Sequence, residues 1–81
     1  MKDDSKNKKM VGNFGLVVRK RRLQLGLSQE AFAEKADIHR TYVSSIELGK
    51  VDIGLSVASK IALALKIPLS NLISLAEKSI K

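Results

Sequence analysis

Residues 22–50 read RLQLGLSQEAFAEKADIHRTYVSSIELGK, and this stretch decides the fold. Gly26 closes one segment, Ser28 opens the next, and Asp37 separates that one from a third ending at Gly49. Glycine readily takes the left-handed conformation that ends helices, and aspartate tolerates it. Ser28 is a favourable N-cap, and Leu27 and Phe32 are spaced for a hydrophobic staple around it. Glu30 suits the positive end of the helix dipole. The spacing predicts a short helix ending near Asp37, with Phe32, Ala33 and Ala36 inward. A second follows from about Arg40, with Val43 and Ile46 inward and Ile38 and Val43 repeating the staple spacing.

Outward from this stretch the helical period continues. Phe14, Val18, Arg22 and Leu25 follow one another at steps of four, four and three, which predicts a helix from about Val11. Residues 1–10 lack periodicity and are expected to form a flexible basic tail, leaving residues 11–81 as one domain. On the other side Gly54 opens a fourth helix, with Leu55, Ala58, Ile61, Ala62 and Leu65 on one face. Pro68 sets the start of a fifth, where its missing N–H costs nothing. That helix carries Leu69, Leu72, Ile73, Ala76 and Ile80. Strand-type alternation is absent, so the expected class is all-α with five helices.

Composition narrows the function. At 81 residues there is room for one core, and domains this short bury only about 60–65% of the unfolded chain's surface. Without cysteine, disulfides and thiolate metal sites are excluded. The opening MKDDSKNKKM has no apolar segment of the secretory kind, and no apolar run reaches membrane-span length, so a cytoplasmic location with no membrane partner is expected. The net charge of +7 points to a polyanionic partner, nucleic acid before membrane. Residues 1–27 carry eight basic and two acidic groups, whereas residues 28–50 carry three and four. The positive field therefore lies on the N-terminal arm and first helix.

Two short helices joined by about three residues describe a helix-turn-helix, in which the first helix braces across the phosphate backbone and the second enters the major groove. An ordinary helical hairpin inside a bundle has the same pattern. Two charges favour the first reading: Arg22 and Glu47 both fall on apolar stripes. Unpaired charges are costly to bury, so each needs the other, unless both side chains extend to solvent.

The stretch resembles the helix-turn-helix domain of lambdoid phage repressors and Cro proteins, the XRE type, from about Val11 to Ile73. The resemblance rests on RxQLGLSQ at 22–29, AFAEKA at 31–36 and SxxELGK at 44–50. HRTYVSSIE at 39–47, with Ile53 where relatives usually have proline, is most similar to the controller proteins of restriction–modification systems. The resemblance implies a lambda-repressor-like fold with Arg22 and Glu47 as a structural ion pair. It implies base reading by Arg40, Thr41, Ser44 and Ser45. Arg40 is the strongest candidate, because guanidinium can bind guanine O6 and N7 together. Thr41 can offer its methyl to thymine or its hydroxyl to either base. Ser28, Gln29, His39, Tyr42 and Lys50 are expected at phosphates, with backbone N–H groups helping at Gln29. His39 stands where Ser or Thr usually caps the second helix, so it can also serve as a weak cap. Val51 and Asp52 depart from the basic residue and amide that controller-like relatives carry, which removes an expected loop contact.

The function implied is sequence-specific transcriptional regulation by a homodimer on a roughly palindromic double-stranded DNA operator. RNA polymerase would be a further partner if the protein activates. Helix 5 is expected to form the dimer interface through Leu69, Ile73, Leu75 and Ile80, because its apolar residues cover more than one face. Leu69, Leu72 and Ala76 are expected inside, and Ile73 and Ile80 shared with the second copy. No cofactor or metal is expected. One histidine, no paired acids on a common face and no glycine-rich phosphate loop argue against an enzyme. An antitoxin or adaptor whose helix-turn-helix mainly binds protein is the alternative. A neighbouring toxin gene would favour that reading, and a neighbouring endonuclease or methyltransferase gene the controller.

Overall fold

Helix ends set the architecture. In the computed structural model, which describes residues 5–78, α1 runs Ser5–Gln24, α2 Gln29–Ala36, α3 Arg40–Glu47, α4 Leu55–Ala64 and α5 Leu69–Lys78. The first four helices each close on a left-handed residue: Gly26 (φ 71°), Asp37 (φ 58°), Gly49 (φ 71°) and Lys66 (φ 57°). After α1 the Gly26 and Leu27 amides donate back to Leu23 and Arg22 carbonyls at 3.0 and 3.1 Å. After α4 the Lys66 and Ile67 amides do the same to Leu63 and Ala62, both at 3.2 Å. Each pair satisfies two carbonyls that a helix end would otherwise orphan. Lysine is strained in this conformation where glycine is not. Arg21 braces the turn, its Nε donating to Leu65 O at 2.9 Å and its Nη2 to Lys66 O at 3.3 Å.

Every helix sends an apolar side chain into one core. Val18, Phe32, Val43, Ile61 and Leu72 are fully buried, one from each helix, with Leu65 just beyond α4. Each such side chain contributes about 1.5–3 kcal/mol relative to exposure. α1 packs on α3 and α5, α2 on α3 and α4, and α4 on α5. Among the described residues no single helix is long and apolar enough to cross a membrane.

The structure differs from the sequence reading in three places. α1 begins at Ser5, so residues 5–10 are helical rather than an unstructured tail, and residues 1–4 lie outside the described ones. Residues 5–9 hold no apolar side chain, so periodicity cannot register them, whereas an existing helix extends at little cost. Leu55 is not on the buried face: it is 80% exposed, because the first turn of α4 overhangs the core and burial begins at Ala58. In α5, Leu72 and Ala76 are buried as expected and Ile73 is half-buried, but Leu69, expected inside, is only half-buried. Ile80 lies outside the described residues.

Candidate nucleic-acid interface

Residues 37–39 form the turn between α2 and α3. Both helices are capped by side chains. Ser28 Oγ accepts the Ala31 amide at 3.0 Å, and His39 Nδ1 accepts the Thr41 amide at 3.1 Å. Imidazole therefore does the work that a hydroxyl or carboxamide usually does at an N-cap. Ile38, half-buried against the core, anchors the turn between the two caps.

Arg22 and Glu47 lock this pair of helices to α1. The Arg22 Nε donates to Glu47 Oε2 at 2.7 Å and its Nη2 to Oε1 at 2.9 Å, a two-pronged contact between side chains only 8% and 2% exposed. Arg22 Nη1 donates to Leu27 O at 2.8 Å, and Gln29 Nε2 donates to Glu47 Oε1 at 3.2 Å. One network thus joins the end of α1, the start of α2 and the last residue of α3. Its hydrogen bonds to Glu47 hold the Arg22 guanidinium above its ordinary value, against the pull of burial and with the carboxylate's charge assisting.

With Val43, Ile46 and Glu47 buried, the opposite side of α3 is presented outward. Thr41 is exposed there, Ser44 and Ser45, one turn on, are half-buried, and Arg40 is exposed at the helix start, along the edge that leads to Glu47. Tyr42 lies to one side, half-buried against the core, and Lys50 is exposed just past Gly49. The two serines sit lower on the helix surface than Arg40 and Thr41, so the long arginine is the side chain with most reach. Gln29 is the exception among the expected phosphate contacts. Its amide is turned inward onto Glu47, leaving one of its two N–H bonds for anything outside.

Some features of this face were not apparent from sequence. Leu48 caps α3 and is 64% exposed, one turn beyond Ser44, and it carries no pattern signal because it breaks the inward stripe. Lys8 of α1 and Lys50 line one shallow cleft beside Asp52, bringing basic residues from distant parts of the chain to the end of α3. Conversely, Arg22 turns inward onto Glu47, whose carboxylate offsets its charge, while Arg21 lies half-buried along the end of α4. The surface positive charge of residues 1–27 is accordingly smaller than the count of basic residues suggests. Among the described residues, no three His, Asp or Glu side chains are grouped to hold a metal ion.

Comparison with known proteins agrees with this geometry. A family model described as helix-turn-helix matches residues 18–72, which contain α2, α3 and α4 entire. The chain is 47% identical over 66 residues to control protein C.MunI of Mycoplasma sp, covering 80% of this chain and 89% of that one. It is 41% identical over 61 residues to control protein C.BamHI of Bacillus amyloliquefaciens, covering 74% and 75%. The crystal structure of the restriction-modification controller protein C.AhdI from Aeromonas hydrophila superposes with a TM-score of 0.75 at 35% identity, covering 76% and 94%. With its paired short helices, its outward-facing α3 and these relatives, the chain belongs to the helix-turn-helix family of DNA-binding transcription regulators.

Proposed function

We propose that this protein is a restriction–modification controller that binds, as a homodimer, an operator with approximate two-fold symmetry. The observation that carries this reading is the 47% identity to control protein C.MunI, which spans 80% of this chain and 89% of that one. In this reading α3 lies in the major groove, Arg40 pairs with guanine, and Thr41, Ser44 and Ser45 meet neighbouring base edges. Lys50, Tyr42 and the helix starts near Ser28 and His39 hold phosphates, with Lys8 added to that set.

The second copy docks on the Ile73 side of α5. Ile73, Val51, Ile53 and the exposed Leu55 surround an apolar cleft that reaches Ile46 of α3, so a two-fold axis there keeps both α3 helices near it. Exposed apolar clusters of this kind usually mark interfaces. Leu75 borders a different groove, with Leu16 of α1, because residues two apart on a helix point about 200° apart. The antitoxin or adaptor reading is not favoured, since the relatives named above are control proteins. RNA polymerase contact would follow only if the operator lies where a bound dimer activates. Footprinting on the DNA upstream of this gene and its neighbours tests the proposal. Two protected half-sites about 34–36 Å apart are expected. Protection of a single asymmetric stretch, or none, would count against it.

A further inference from the structure

We propose that His39 sets the hydrogen-bonding polarity of the Thr41 hydroxyl and thereby decides which base edge Thr41 accepts. This rests on the reading of Thr41 as a base-contacting residue. One nitrogen makes two contacts: Nδ1 of His39 lies 3.1 Å from the Thr41 amide nitrogen and 2.8 Å from Thr41 Oγ1. A backbone amide can only donate, so Nδ1 is the acceptor and the neutral ring carries its proton on Nε2. Facing an unprotonated Nδ1 at 2.8 Å, the hydroxyl donates as well. A threonine hydroxyl has one hydrogen. With that hydrogen turned toward His39, only lone pairs remain for DNA. Thr41 then accepts from an amine in the major groove, adenine N6 or cytosine N4.

Protonation of the ring reverses the arrangement. Nδ1 gains a hydrogen and donates to Thr41 Oγ1, which frees the hydroxyl hydrogen to point outward. Thr41 can then donate as well as accept, to thymine O4, to guanine O6 and N7 or to adenine N7. Imidazole is the side chain whose charge ordinarily changes between pH 5 and 8. The other charged groups about this turn are Asp37 within it, Lys60 of α4 at 3.8 Å from Asp37, Lys35 in the last turn of α2, and Arg40 at the start of α3.

Total affinity is a poor readout of this effect. A protonated His39 gives up its cap, opposes the dipole at the start of α3, and adds charge beside phosphates. Preference at one base pair isolates it. Bound sequences are selected from a pool of random duplexes at about pH 5.5 and about pH 8, on either side of ordinary imidazole titration. The full chain is used as wild type, His39→Asn and Thr41→Val. Asparagine keeps a capping oxygen but does not titrate.

Wild type is expected to prefer A or C over T and G at one position per half-site at alkaline pH, and to lose about two- to tenfold of that discrimination on acidification, the scale of one hydrogen bond. His39→Asn is expected to keep the alkaline preference at both pH values. A wild-type preference that is identical at both pH values, or a His39→Asn preference that shifts as wild type does, overturns the proposal. Thr41→Val tests the reading beneath it. Loss of preference at that one position supports base contact by Thr41; unchanged preference everywhere overturns that contact and this proposal with it.

Discussion

The Cβ that Gly15 lacks would collide with the backbone carbonyl oxygen of Ile46, and would also crowd the Glu47 carbonyl at 3.1 Å. α1 therefore reaches the last turn of α3 through a gap that only glycine leaves. Gly15→Ala should destabilise the fold by about 1–3 kcal/mol through overpacking, although alanine is the better helix former. Gly12, one turn earlier, is the control, since a Cβ there meets nothing within 4 Å. Gly12→Ala should stabilise by about 0.5–1 kcal/mol. Denaturant unfolding of both variants checks the contrast. Changes of the same sign would contradict it.

The Arg22–Glu47 pair gives a second stability test. Arg22→Met or Glu47→Met alone strands a buried charge and should cost about 3–5 kcal/mol. The double substitution should cost far less than the sum of the two. Strict additivity in the cycle would mean that the pair does not couple. The pH direction follows from the raised Arg22. A cation held above its ordinary value contributes fully below that value and loses its contribution only as pH rises through the folded value. This pair's arginine should thus weaken the fold only in strong alkali.

Much of this fold was legible in residues 22–50, for a physical reason. Caps, staples and left-handed turns are local, so Ser28, Gly26, Asp37 and Gly49 announce their roles without any partner. Arg22 and Glu47 were legible because a charge on an apolar stripe demands compensation. What stayed hidden depends on distant parts of the chain. Gly15 looks like a weak helix residue until α3 is laid against it, and Lys66 looks unremarkable until Arg21 is seen bracing its turn. Gln29 has the right type for a phosphate contact, yet Glu47, far along the chain, claims its amide.

Dimerisation can be tested through Ile73. Ile73→Asp puts a charge into the apolar cleft shared with Ile53 and Leu55, where it has no partner to offset its desolvation. Sedimentation at micromolar concentration should show a wild-type dimer and a monomeric variant. A wild type that is monomeric throughout, or a variant that dimerises equally well, would reject this face.

Salt dependence measures how many phosphates are held. Each neutralised phosphate contributes about −0.9 to the slope of log affinity against log salt. Lys50→Ala should flatten that slope by roughly one unit and weaken all duplex sequences about equally. Binding by anisotropy across a salt series decides it. An affinity indifferent to salt would contradict electrostatic contact with DNA altogether.

As proposed above, the exposed face of α3 reads bases, with Arg40 foremost. The most direct measurement compares wild type and Arg40→Ala on a duplex selected by wild type and on duplexes altered one base pair at a time. Arg40→Ala should lose about 1–3 kcal/mol on the selected duplex and lose discrimination at one base pair per half-site. Discrimination at the remaining positions should persist. A variant that binds the selected duplex with wild-type affinity and ranks the altered duplexes as wild type does would contradict this placement of α3.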